Sequence, residues 1–266
     1  MSRRVDRTFF SMTDFFEPSQ WKERIQQKKQ SIELPAGFPE DTELRETYCL
    51  ARALDADLLQ YFQQVDFSID RRQIQCGIQT IADRFKLEVL QGLQKEKTDF
   101  NKNLQRPQSK FKNIFEFAGL EKLYLSNTYT RFISENLGHK LEDIADLSPY
   151  VFIPESRIDI TLKGIDFIVI WDGKLHYTQL KTKKDTLTSS QVPRSINEFK
   201  IHLNSMFVAA LDMGSRLNPS RTKARSNGIE LRVGEEFWTK IGICYSDILN
   251  EISGSFRDIE SRLYAE

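Results

Sequence analysis

The stretch that most constrains this chain runs over residues 164–184 and reads GIDFIVIWDGKLHYTQLKTKK. Residues 165–171 are β-branched and aromatic apart from one acid, residues 175–181 alternate, and Asp172-Gly173 stands between them. An Asp-Gly pair between two such runs marks a two-residue hairpin turn, because both turn positions need positive φ and these residue types tolerate it. The chain must therefore contain a β-hairpin. Alternation along its second strand puts Gln179 and Lys181 on one face and Leu180 on the other. The turn folds Asp166 back to the level of Gln179, so an acid, an amide oxygen and an ammonium converge. His176 falls on the opposite face and is read as structural.

Around the hairpin the pattern is helical on the N-terminal side and mixed on the C-terminal side. Residues 43–62 place Leu44, Tyr48, Leu50, Ala51, Leu54, Leu58, Leu59 and Phe62 at helical spacing, and residues 80–104 repeat the pattern. The polar, proline-containing stretch KEKTDFNKNLQRPQSKFKN reads as a helix end and a connector. A further helix is predicted over 114–136, stopping at Leu137-Gly138. Residues 157–162 alternate like a strand. Residues 190–213 return to helical spacing through Ile196, Phe199, Leu203, Phe207, Ala210 and Leu211. A loop rich in Gly, Pro, Ser and Arg follows over 214–228. Then come a short strand, a helix starting near Val233, a strand over 240–244 and a last amphipathic helix. The expected organisation is a helical region over 1–112 and an α/β domain over 113–266.

Composition removes several classes. With 39% hydrophobic residues and 19 Phe, the chain has material for a packed core and is too apolar for a disordered one. Nowhere do roughly 18 apolar residues run together, so no transmembrane helix is expected. The N-terminal MSRRVDRTFFSMTDFF carries charge inside its apolar stretch, unlike a secretory signal. Cys49, Cys76 and Cys244 are widely spaced and are read as buried, reduced thiols of a cytoplasmic protein. His139, His176 and His202 lack the spacing of a zinc hydrolase.

The chemistry of the hairpin suits metal-assisted phosphodiester hydrolysis. A hard cation such as Mg²⁺ takes oxygen ligands, which a carboxylate, an amide and a backbone carbonyl supply. A lysine beside it orients a water and offsets transition-state charge. The carboxamide of Gln179 is a weaker ligand than a carboxylate, so a second acid is needed. Asp159, just before the hairpin, is one candidate for the metal.

Local charge points to a polyanion. Lys+Arg and Asp+Glu both total 38. From Lys181 to Arg225, however, nine bases (Lys181, Lys183, Lys184, Arg194, Lys200, Arg216, Arg221, Lys223, Arg225) face three acids (Asp185, Glu198, Asp212). Excess positive charge beside a candidate active site is what phosphate binding uses. The loop SRLNPSRTKARSNG offers Arg, Asn and Ser, side chains that read base edges.

Asp166 followed by Gln179-Leu180-Lys181 on the next strand resembles the PD-(D/E)XK nuclease superfamily, and in particular its type II restriction endonucleases. Ile165 stands where that pattern has proline, and Gln179 where it has Glu, as in a minority Gln-x-Lys form. LEKLYLSNTYTRFISENLGHKLEDIA (120–145) is similar to the helix before the catalytic hairpin, which often supplies an extra metal-site Glu. Glu121 is the candidate there, with Glu116 and Glu135 as competitors. VGEEFWTKIG (233–242) resembles a Gly-x-x-Phe-Trp element found late in several such enzymes. The resemblance spans roughly 114–245 and leaves out the N-terminal helices.

It implies a restriction-endonuclease-like α/β core, a central mixed sheet flanked by helices. It also implies Mg²⁺-dependent, site-specific cleavage of double-stranded DNA by a homodimer. Catalysis falls to Asp166, Gln179, Lys181 and Glu121, with Asp166, Gln179, Glu121 and Asp159 as metal candidates. DNA contacts are assigned to Lys183, Lys184, Arg194, Arg216, Arg221, Lys223 and Arg225. Two alternatives remain: another nuclease of the same superfamily (homing, repair or transposon end-cleaving), and a DNA-binding protein of this fold that does not cleave.

Overall fold

The computed structural model describes residues 17–184, 192–214 and 224–263, which group into two compact units. The first comprises residues up to 74 together with 145–245, and the second 75–144 together with the C-terminal residues from 246. The sequence-based boundary at 112/113 falls within the second unit. Among the described residues, no helix is long and apolar enough to cross a membrane.

The first unit is an α/β structure built on a five-stranded mixed sheet in the order β1-β2-β3-β4-β5. β1 (Val151–Phe152), β2 (Phe167–Trp171) and β3 (Lys174–Lys183) form an antiparallel meander. β4 (Ser205–Leu211) and β5 (Ile229–Val233) continue from β3 in parallel. The turn between β2 and β3 is the anticipated one, with φ of 48° at Asp172 and 74° at Gly173. Both values are positive, as a turn matching the strand twist requires.

Two helices precede the sheet. α1 (Pro18–Lys29) starts with proline at its first position, where no intrahelical N–H is lost. α2 (Thr42–Gln64) is capped by Asp41, whose carboxylate accepts from the Leu44 N–H at 3.0 Å. Trp21 and Ile25 of α1 pack with Leu50, Leu54, Leu58 and Phe62 of α2 in one core with Ile168, Tyr177 and Phe207 of the sheet. Register puts Ile168 opposite Tyr177, so this core lies on the face shared by Tyr177, Gln179 and Lys181. The other face carries Phe167 and Trp171, which meet Phe237 of α8 (Glu235–Lys240) at ring-centroid distances of 6.0 and 6.2 Å. The neighbouring Trp238 donates its Nε1–H to the Ala210 carbonyl at 2.7 Å, tying α8 to β4. The Phe-Trp pair thus serves as a wedge under the sheet. α7 (Val192–Phe199) joins β3 to β4, and its Ile196 and Phe199 belong to the α1–α2 core.

The second unit holds most of α3 (Arg71–Leu104), then α4 (Ile114–Ala118), α5 (Glu121–Ala145) and α9 (Tyr245–Leu263). Within it Phe85 packs against Phe256, and Lys86 pairs with Asp83 and Asp258. Glu116 is buried, accepting from Asn103 at 2.8 Å and from the Lys112 N–H at 2.7 Å.

Several sequence expectations are corrected. The helix expected to stop at Leu137-Gly138 runs on to Ala145. The glycine that does end a helix is Gly119, in the left-handed conformation after α4. Residues 157–162 are not a strand: α6 (Pro154–Ile158) ends at Asp159, which takes positive φ. The helical spacing assigned to 190–213 covers a helix that stops at Phe199 and a strand. SMFVAAL of β4 is buried at all seven positions, so neither a period of 2 nor one of 3.6 was available to separate the two. No strand forms over 240–244, where the chain turns into α9. The cysteines form no disulfide, as read, but they are not buried: Cys76 and Cys244 are exposed and Cys49 is half-buried.

Candidate active site

β3 is longer than β2, and its end beyond Gln179 keeps β4 as a neighbour while losing β2. Asp166 stands where β2 begins. Its backbone N–H donates to the Thr178 carbonyl at 2.9 Å, and its side-chain Oδ2 accepts from the Leu180 N–H at 2.7 Å. The carboxylate takes the place of a strand carbonyl, supplying an acceptor that β2 no longer offers. The register ends with Phe167 opposite Thr178, and Asp166, one residue earlier, bonds through its N–H to Thr178 and through its carboxylate to Leu180, the two residues that flank Gln179.

Gln179 is 7% exposed, and its Oε1 is buried with no hydrogen-bond partner among the described residues. A buried amide oxygen without a donor costs about 1–3 kcal/mol. One pleat further, on the same face, Lys181 is half-buried and lies level with Ala209 of β4. It makes no hydrogen bond or ion pair among the described residues. His176, on the opposite face, is buried and lies with Nε2 3.3 Å from Glu230 Oε1, a structural position as read.

The neighbouring helix brings a carboxylate that the sequence reading counted only as charge. Glu198 of α7 is 6% exposed and accepts from Arg194 Nε at 2.9 Å. Gly164 has φ of 74°, and a Cβ built on it would stand 2.4 Å from Glu198 Oε2. A side chain at 164 would make the carboxylate move, and the positive φ favours glycine there in any case. The signal in the sequence was the neutral Gln179, which asked for an acid elsewhere without saying where.

Asp159 is exposed and paired with Lys22 of α1. Glu121 is the first residue of α5, in the second unit. Lys183 is exposed, and Lys184 pairs with Asp212 just past β4. Arg194 is exposed, and the Glu198 hydrogen bond raises its pKa. Arg225 lines a shallow depression along the edge strand β5 with Gly228, Ile229, Glu230, Leu231 and Arg232. Arg216, Arg221 and Lys223 lie outside the described residues.

In this region a metal would find the Asp166 carboxylate and Gln179 Oε1, which has no partner among the described residues. An acceptor with no proton donor suits a hard cation. Among the described residues no three His, Cys, Asp or Glu side chains cluster as a ready-made metal site.

No protein-family model matches the chain, and no curated protein or solved structure matches it either.

Proposed function

We propose that this protein is a Mg²⁺-dependent type II restriction endonuclease of the PD-(D/E)XK kind, hydrolysing both strands of a specific double-stranded DNA site in the cytoplasm. The observation that carries the reading is Gln179 Oε1, buried with no partner among the described residues, on the stretch of β3 to which Asp166 bonds through its N–H and its carboxylate, with Lys181 two residues further on.

Asp166 and Gln179 would hold the cation. Bound there, Mg²⁺ would supply Lewis-acid stabilisation of the phosphate and a more acidic water. The chain's own part is positional. The Leu180 N–H holds the Asp166 carboxylate in place. Lys181, which makes no hydrogen bond or ion pair among the described residues, orients the attacking water and meets charge that develops on the phosphate. Lys183, Lys184, Arg194 and Arg225 supply phosphate contacts, and a two-fold homodimer would match a palindromic site.

A second reading, a DNA-binding protein of this fold that does not cleave, is favoured by the neutral amide at 179. Incubation of the purified protein with supercoiled plasmid, in Mg²⁺ and in EDTA, separates the readings. Discrete bands only with Mg²⁺ support site-specific cleavage. A smear or relaxed circles point to another nuclease, and intact supercoils in both point to the binder.

A further inference from the structure

We propose that Glu198, on α7, is the second carboxylate of the metal site and stands in for the acid missing at position 179. The inference rests on the metal-nuclease reading of Asp166, Gln179 and Lys181, and it adds a ligand which that motif does not contain.

Three buried acids occur among the described residues: Asp57, Glu116 and Glu198. Two have evident structural work. Asp57 takes both Arg24 and Lys28, holding α1 on α2. Glu116 takes Asn103 and the Lys112 N–H. Glu198 has one partner among the described residues, Arg194, whose side chain is 76% exposed. The pair is part-buried, and its guanidinium faces solvent, which screens the charge it offers. A buried carboxylate compensated so thinly is costly to keep unless something else engages it.

Its position says what that is. Glu198 Oε2 sits over Gly164, at the one place where a side chain on residue 164 would collide with it. Gly164 is two residues before Asp166, no more than about 7 Å of chain. α7 packs on the face of the sheet that carries Gln179 and Lys181, since Ile196 and Phe199 share a core with Tyr177 and Phe207. Gln179 on that face is 93% buried with its oxygen unpartnered. A cation held by Asp166 and Gln179 would carry only one compensating charge, and hard divalent cations favour more. Glu198 brings the second negative charge from the helix.

The test is Mn²⁺ binding, with Mn²⁺ as a spectroscopic stand-in for Mg²⁺, measured by electron paramagnetic resonance and calorimetry on the full chain without DNA. The set is wild type, Asp166→Ala, Glu198→Gln and the double variant Gln179→Glu/Glu198→Gln, each with a thermal melt. Glu198→Gln is expected to weaken Mn²⁺ by about tenfold or more, since an amide replaces a charged ligand. Gln179→Glu in that background is expected to restore binding, because it returns a carboxylate to the same cation from the strand. A purely structural Glu198 would not be rescued in this way. Arg194→Gln covers the case in which Glu198→Gln fails to fold. It lies at an exposed position, frees the carboxylate, and is expected to tighten Mn²⁺ by about two- to fivefold.

If Glu198→Gln binds as wild type does while Asp166→Ala is weakened, the inference is overturned and the nuclease reading stands. Loss of binding in Glu198→Gln without rescue by Gln179→Glu also overturns it, as does an unchanged affinity in Arg194→Gln. If wild type and Asp166→Ala bind Mn²⁺ equally poorly, the metal-nuclease reading itself fails and takes the inference with it.

Discussion

Replacing His202 by Phe should stabilise the protein more the lower the pH. The imidazole is 7% exposed and lies flat on the Tyr177 ring, with centroids 4.1 Å apart and planes 14° from parallel. Neither ring nitrogen has a partner among the described residues. Burial first, and the Arg52 guanidinium second, push its pKa down from 6.5 to about 3. Asp55, beside this ring pair, is already bound by Arg52 at 3.1 Å and by the Tyr177 hydroxyl at 2.7 Å. His202 therefore stays neutral when folded, whereas in the unfolded chain it takes a proton near pH 6.5. Between those pH values the unfolded state binds more protons, so unfolding free energy falls as pH falls.

At about 1.36 kcal/mol per unit, going from pH 7.5 to 5.0 costs about 2 kcal/mol through this residue alone. The loss levels off near 5 kcal/mol once the pH is below about 3. Phe keeps the flat ring on Tyr177 and removes both orphan nitrogens. Any strain from its extra ring atoms is the same at both pH values and cancels. Urea unfolding of both proteins at pH 7.5 and 5.0 measures the effect. The stability gap, variant minus wild type, should widen by about 2 kcal/mol. A gap equal at the two pH values would refute the reasoning, since a histidine that titrates normally in its pocket leaves no difference.

Lys181→Ala should abolish plasmid cleavage while leaving DNA affinity nearly unchanged in a filter-binding or fluorescence titration, because the ammonium acts on the transition state. Near wild-type cleavage would remove Lys181 from the mechanism. Gln179→Glu should stay active and Asp166→Ala should be inactive at every Mg²⁺ concentration, as read on the same plasmid; the reverse result would remove Asp166 from the metal site. Asp57→Ala should cost about 2 kcal/mol in urea unfolding, since it strips Arg24 and Lys28 of a buried partner but leaves both half-exposed side chains able to rehydrate. Arg225→Ala should flatten the salt dependence of DNA binding by about one ion if it meets a phosphate. If it reads a base instead, the loss should be about 1–3 kcal/mol and confined to the cognate duplex.

What the sequence determined by itself is whatever a few adjacent residues decide. Asp172-Gly173 between two β-forming runs sets the hairpin and its register from Trp171–Lys174 to Phe167–Thr178, and alternation along β3 sets Gln179 and Lys181 on one face. The stripe from Leu44 to Phe62 marks α2 in the same local way, because 3.6 residues per turn gathers those side chains on one side. Tertiary structure decided what depends on neighbours distant in the chain. β4 is covered on both faces, so its residues are uniformly apolar and no local period distinguishes strand from helix. Gly138 does not end α5, and Gly119 does end α4; a glycine permits a stop without imposing one. Asp166 spends one carboxylate oxygen on the Leu180 N–H because β2 begins just after it and leaves that amide without a carbonyl partner. Glu198 comes over Gly164 only because the β3–α7–β4 crossover lays α7 on the Gln179 face. No spacing along the chain encodes that approach: 34 positions separate the two residues, and it is the parallel pairing of β3 with β4 that closes the distance.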